Sequence, residues 1–414
     1  MLRQCPIVID PSGRNIHGEA AQLRELGPIV KVTLPGGVPG WAVAGHEALA
    51  DLLADPKRVS KDAYRHWRAW IDGEVTHAWP LSIWVSVQNM ITAYGSEHTR
   101  LRRPVMTAFT ARRVAALRPR IEAVAGEMLD KLAGMSGEEA VDLRAGYAHE
   151  VPTRVMFELF GIPEHSWGML HKIINGFFDT GISVVQARQN SVDLYATMTD
   201  LVAYKRAHPA DDLTSAMIAA RDDENGPRLS EKELTDNLIL LFTAGYETSV
   251  NLISSAVDLM LRHPAQRELV AAGLATWEDV VEETLRLEPP AANGFLRFAV
   301  EDIEIGGSVI PKGEAFIVSF ASVGRDPALH GADADAFDIT RPTRGDHMAF
   351  GYGVHYCLGA TLARLEAAVS LAALFERFPE ISAAGGPGRL PRTESFISNG
   401  LRELPVRLGP SKSA

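Results

Sequence analysis

Phe350-Gly-Tyr-Gly353-Val-His-Tyr-Cys357-Leu-Gly359 is the stretch on which the reading of this chain turns. Three glycines surround one cysteine, so backbone N–H groups can turn toward its sulfur. Leu358, Leu362, Leu365 and Val369 then fall on one helical stripe. That pattern sets Cys357 at a helix N-terminus, where the dipole favours a thiolate.

Several roles compete for such a cysteine. A nucleophile needs a His base, and His355, two residues away, need not point at the sulfur. A zinc ligand needs further Cys or His at metal spacing, and the chain has no His-Glu-x-x-His run. A dinucleotide loop fails because Tyr356 stands where a third glycine is wanted. An inert buried thiol is the ordinary alternative. A thiolate ligand to haem iron needs one cysteine in a glycine-lined loop with a helix behind it, and this segment supplies both.

A second signal lies upstream. Ser230-Glu-Lys-Glu233 has the capping-box pattern, and apolar residues then run from Leu234 to Leu261. Leu238–Phe242 is apolar on every side, so this helix of about 28 residues, about 42 Å long, is expected to pass through the core. Its middle reads Thr243-Ala-Gly-Tyr-Glu247-Thr248. Ala244 and Thr248 share a face, and Gly245 permits bending or the close approach of a flat ligand. Thr248 bonding back to the Ala244 carbonyl and Glu247 meeting a structural arginine is one reading; a proton-delivery pair is the other.

The remainder of the chain bounds these readings. It has 414 residues, 46% of them hydrophobic, a formal net charge of −11 and two cysteines, Cys5 and Cys357. Length alone suggests two or three domains. Two cysteines exclude a disulfide framework and a thiolate-built zinc site, and the acidic balance argues against a general nucleic-acid surface. No apolar run nears the ~20 residues of a membrane span, and Met1–Asp10 is not read as a secretory signal. A soluble, cytoplasmic enzyme is the expected class. Helical periodicity dominates. A hairpin is expected at Pro28–Leu34 and Trp41–Ala44, with short strands in Phe295–Phe320 around Gly306 and Gly307. These strands do not alternate with helices, so the expected fold is mainly α with small β-sheets rather than a doubly wound one.

Phe350-x-x-Gly353-x-x-x-Cys357-x-Gly359 resembles the haem-ligand signature of the cytochrome P-450 monooxygenases. Ala244–Thr248 is similar to that family's Ala-Gly-x-Glu-Thr motif, Glu283-Thr-Leu-Arg286 to its Glu-x-x-Arg helix, and Phe337–Arg341 to the segment carrying a third partner. The similarity runs in order over nearly the whole chain. It implies a single domain over residues 1–414, a triangular prism with a long central helix over haem b. Cys357 would ligate the iron. Phe350, Gly351 and Gly359 would line the cofactor, and His98, Arg102, Arg297 and His355 would hold its propionates. Glu283, Arg286 and Arg341 would form a structural triad, and Ala244, Glu247 and Thr248 the oxygen-activation and proton-relay group.

The implied activity is insertion of one oxygen atom from O2 into a bulky, mostly apolar molecule of steroid or macrolide size, in secondary metabolism. Substrate contacts would come from Trp84, Val87, Phe177, Ile239, Leu240, Ala291, Ala292 and Ile397. Ala291, Ala292 and Gly294 suggest room near the iron, and tryptophans 67, 70, 79 and 84 a pocket roof. Electrons would come from NAD(P)H through an external ferredoxin reductase and ferredoxin to a monomeric protein. Seven arginines and no acid between Thr99 and Ile121 mark a basic docking face for that ferredoxin. A peroxide-driven haem oxidase is disfavoured by Glu247-Thr248, and a non-catalytic haem sensor or scaffold is the third reading.

Overall fold

The computed structural model describes residues 7–79, 81–107, 109–135, 139–170, 173, 184–222, 229–384 and 390–412. Helices carry most of it. The longest, Glu231–Arg262, has 32 residues, about 48 Å at 1.5 Å per residue. Its capping box forms as the sequence reads: the Glu233 N–H donates to Ser230 Oγ at 3.2 Å and the Ser230 N–H to Glu233 Oε2 at 2.8 Å. It ends at Arg262, two residues before Pro264, and His263 between them leaves helical geometry. Every residue from Ser249 to Met260 is buried, so this half is enclosed on all sides.

Two cores meet on this helix. One joins its second half to Arg118–Met135, Trp277–Leu287 and Ala360–Arg377. The other joins its first half to Glu150–Phe160 and Val184–Ala207.

The strands form small sheets. The largest has six, in the order Ile7–Val8, Ile29–Leu34, Val38–Val43, Ala315–Ser319, Asn293–Ala299, Val59–Ser60. The expected hairpin is its antiparallel second and third strands. Ile303–Ile305 and Ser308–Ile310 pair around Gly306 and Gly307, and a three-stranded sheet completes the set. Val59–Ser60 runs antiparallel to Asn293–Ala299, with Val59 opposite Ala299 and Ser60 opposite Phe298. That register bears on the site below. The architecture is mainly α with small sheets, as the sequence suggests.

Candidate active site

The cysteine loop is shaped by backbone packing. Gly353 has φ +69°, and a Cβ there would lie 1.9 Å from the Leu53 carbonyl oxygen, so no side chain fits. The Cys357 N–H closes the loop on the Phe350 carbonyl at 2.9 Å. Burial pushes the Cys357 thiol up, while the N–H groups of Gly359 and Ala360, at the start of the Ala360–Arg377 helix, and the guanidinium groups of Arg102 and Arg364 pull it down. Cys357 keeps open surface as a residue although burial raises its thiol, as a residue lining a hollow would. Phe350 lies beneath the Arg364 guanidinium, 4.5 Å from its ring centroid.

The central helix passes close by: Leu358, next to the cysteine, packs on the core that contains Leu238, Leu241 and Phe242. Along that helix Leu240, Ala244 and Thr248 recur every four residues. Ala244 and Thr248 are exposed although their neighbours Tyr246, Glu247 and Ser249 are buried. An open stripe inside a protein is a chamber wall. Thr248 Oγ1 donates to the Ala244 carbonyl at 2.8 Å. Glu247 points elsewhere, accepting from Arg144 Nη2 at 3.3 Å; burial raises its pKa, and Arg144 and His149 oppose the shift. Both contacts of the structural reading are therefore present, and Glu247, next to Thr248 in the chain, pairs with the partly exposed Arg144. Gly245 does not face a ligand: a Cβ there would meet Met156 at 3.0 Å.

Basic groups converge at one edge of the hollow. His98 and Arg102 sit four apart on the Ser96–Met106 helix, and the rings of His98 and His355 lie 4.2 Å apart. Arg102 donates to the Tyr356 carbonyl, and Arg297 to that of Phe295. Burial pushes Arg297 down to about 10. It also pushes His98 to about 4, reinforced by Arg102 and by Lys61. Lys61, which sequence reasoning missed, is itself pushed well down by burial, Arg297 and Arg102. No carboxylate opposes any of these shifts. His98 Nε2 and His355 Nδ1 are buried without partners. Such a cluster is unfavourable unless anions enter it, and a flat group bearing two carboxylates fits both the orphaned nitrogens and the unpaired cations.

The triad residues are brought together as expected. Arg286 and Glu283 are fully buried and joined by two hydrogen bonds of 2.7 Å. Arg341 Nε lies 3.6 Å from the same carboxylate.

The pocket residues divide. Trp84 stacks tilted on Phe295 at 4.8 Å. Val87, Ile239, Leu240, Ala291 and Ile397 are half-buried. Ala292, by contrast, is fully buried with Ile16, Ala20 and Ala321 and belongs to the core. Gly294 is not open room either: a Cβ would meet Val318 at 2.6 Å. Trp67 and Trp79 are core residues, Trp79 Nε1 donating to the Pro35 carbonyl. Phe177 lies outside the described residues.

The basic stretch is also largely neutralised. Arg100 pairs with Glu97 and Glu233, Arg113 with Asp211, Arg118 with Glu122, and Arg120 with Glu158. Arg103 and Arg112 stay exposed and form no ion pair among the described residues.

A thiol at a helix N-terminus, an open stripe on the central helix and a cationic edge together suit a flat dianionic iron cofactor. Comparison with known proteins identifies the family: a family model for cytochrome P-450 matches residues 148–272 and 274–385, and the chain belongs to that family. It is 44% identical to 2-hydroxy-5-methyl-1-naphthoate 7-hydroxylase of Streptomyces carzinostaticus, over 98% of each chain. It is 37% identical to 6-deoxyerythronolide B hydroxylase of Saccharopolyspora erythraea, over 94% of this chain and 95% of that one. Among solved structures, CYP154A1 of Streptomyces coelicolor A3(2) superposes with a TM-score of 0.89 at 46% identity, over 97% of this chain and 100% of that one. The protein is thus a cytochrome P-450 monooxygenase, an enzyme that uses haem b and electrons drawn from NAD(P)H through redox partners. Among the described residues no helix is long and apolar enough to cross a membrane.

Proposed function

We propose that this chain is a single-domain, cytoplasmic, monomeric haem-thiolate monooxygenase. It hydroxylates a bulky, mostly apolar small molecule of secondary metabolism, with electrons from a ferredoxin and its reductase. The carrying observation is the Cys357 thiol in its glycine-shaped loop at the start of the Ala360–Arg377 helix, where burial raises its pKa and the Gly359 and Ala360 N–H groups oppose that rise. Cys357 ligates the iron, and His98, Arg102, Arg297 and His355 take the two propionates. Haem bound by a thiolate supplies the activation of O2.

The chain's own groups manage the remainder. Thr248, on the open stripe, presents its hydroxyl to the chamber; turning from the Ala244 carbonyl frees it to hold a water or pass a proton. Glu247, raised in pKa by burial, exchanges protons between that hydroxyl and the surface through the Arg144 and His149 side. Arg286, Glu283 and Arg341 hold the chain segments behind the cysteine loop.

Trp84, Phe295, Leu240, Ala244, Ala291 and Ile397 form an apolar lining that suits a polycyclic or macrocyclic substrate. The naphthoate and macrolide-type names of the two relatives support that class. Ferredoxin docks on the face around the cysteine loop, where exposed Tyr352, Val354 and Tyr356 lie with the unpaired Arg103 and Arg112. Ion pairs take four of the seven arginines and the cofactor edge takes Arg102, which leaves these two, so the salt dependence of electron transfer is modest rather than steep.

An absorbance titration against a panel of naphthoates, macrolides, steroids and fatty acids tests this reading. One or more apolar ring compounds are expected to shift the Soret band to shorter wavelength and to be oxidised when ferredoxin, reductase and NADPH are supplied. No spectral shift and no product with any panel member would overturn it.

A further inference from the structure

Lys61 has no role in the reading above. Its side chain is buried, with 5% of its surface accessible, and it forms no ion pair among the described residues. It follows the Val59–Ser60 strand directly. Because Ser60 lies opposite Phe298 in an antiparallel pair, continuing the register places Lys61 opposite Arg297, on the same face of the sheet. Like charges directly opposite in a sheet are destabilising, and an uncompensated buried ammonium tends to lose its proton. The arrangement makes sense only with an anion between the two side chains. His98 also feels the Lys61 charge, and with Lys61 opposite Arg297 in the sheet this sets it at the same cationic edge. Its Nζ stands 5.4 Å from the Phe295 ring centroid, and Phe295 in turn meets Trp84. Lys61 therefore touches the cofactor edge on one side and the substrate wall on the other.

We propose that Lys61 is a fifth haem-carboxylate ligand, and that by holding the Phe295 ring it also positions the Phe295–Trp84 wall of the substrate chamber. The inference rests on the haem-thiolate reading and adds a residue that neither the sequence motifs nor the relatives assign. A cation beside the haem favours the ferrous state, because reduction adds an electron.

The test uses the haem-loaded protein and three variants, Lys61→Met, Lys61→Arg and Phe295→Leu. The reduced carbon monoxide spectrum of the parent checks the haem-thiolate reading separately, since its red-shifted Soret band does not depend on Lys61. Transfer of haem to excess apomyoglobin should be roughly tenfold faster from Lys61→Met than from the parent, as expected for losing a charged hydrogen bond. Its midpoint potential should move to more negative values. Lys61→Arg should restore both, and Phe295→Leu, which keeps the cation, should leave the potential near the parent's. Parent-like haem transfer and potential in Lys61→Met would overturn the proposal. So would a variant that changed only the affinity for carboxylate-bearing panel compounds, which would make the substrate the anion.

Discussion

The buried triad makes a ranked prediction. Arg286 is fully buried and spends its donors on five acceptors: both Glu283 oxygens and the carbonyls of Gly324, Ala334 and Ala336. Glu283 also accepts the Asp338 N–H at 2.9 Å. Arg341 has an outlet, pairing with Asp333, whose side chain is 67% exposed. Glu283→Gln removes the one carboxylate that, among the described residues, pairs with the fully buried Arg286 guanidinium, and should cost ~3–5 kcal/mol. Arg286→Met strands that carboxylate, and it also takes the Arg286 donor from the buried carbonyls of Gly324 and Ala334, each worth ~1–3 kcal/mol; it should be the costliest. Arg341→Met leaves the two short bonds of the Glu283–Arg286 pair intact and should cost about 1–2 kcal/mol. Against a total stability of ~5–15 kcal/mol, the first two variants should purify with little haem and the third with most of it. Haem content per chain and urea unfolding at 25 °C give the ranking. A fully haem-loaded Glu283→Gln within about 1 kcal/mol of the parent, or Arg341→Met as the costliest variant, would refute the reasoning.

Three further outcomes are expected. Cys357→Ser should lose the thiolate-type red-shifted Soret band of the reduced carbon monoxide complex, and retention of that band would show that another residue ligates the iron. Thr248→Ala should keep substrate binding but divert electrons to free hydrogen peroxide, measured as peroxide formed per NADPH consumed; a parent-like product yield per electron would remove Thr248 from proton delivery. Glu366 offers a pH test. Burial pushes its carboxyl from 4.5 to about 8, a Ser249 hydrogen bond opposing, and one of its oxygens has no partner. Between those values the folded protein holds a proton that the unfolded chain has released. Its contribution is therefore fully present below about pH 4.5 and is lost, on the order of 4–5 kcal/mol, as pH rises through 8. Glu366→Gln should flatten the stability profile over that window, and an equally steep profile in the variant would exclude Glu366 as its source.

What the sequence made legible was whatever its own spacing encodes. The cysteine loop, the capping box at Ser230 and the Glu283–Arg286 pair all lie within a few residues, so the backbone fixes their geometry. Small residues were the first failure: Ala292 and Gly294 look like open room, yet they are small because Ile16, Val318 and Phe320 press against them. Gly245 is the same case, yielding space to Met156. Smallness in a sequence marks close approach and does not say what approaches.

The basic residues were the second failure, and the physics separates them cleanly. Between Thr99 and Ile121 the sequence shows seven arginines and no acid, but Glu158, Asp211 and Glu233, far along the chain, come back to neutralise three of them. Lys61, isolated in sequence beside Asp62, receives no such partner; Asp62 pairs with Arg65 instead. A surface cation that finds a carboxylate contributes little beyond local order. A buried cation facing other cations is tolerable only if a ligand brings the missing charge. The cations proposed here for the haem carboxylates are therefore not the densest ones but those the fold leaves without an acid among the described residues. That distinction depends on strand register and on contacts hundreds of residues apart, which is why Arg102 was legible by spacing from His98 and Lys61 was not legible at all.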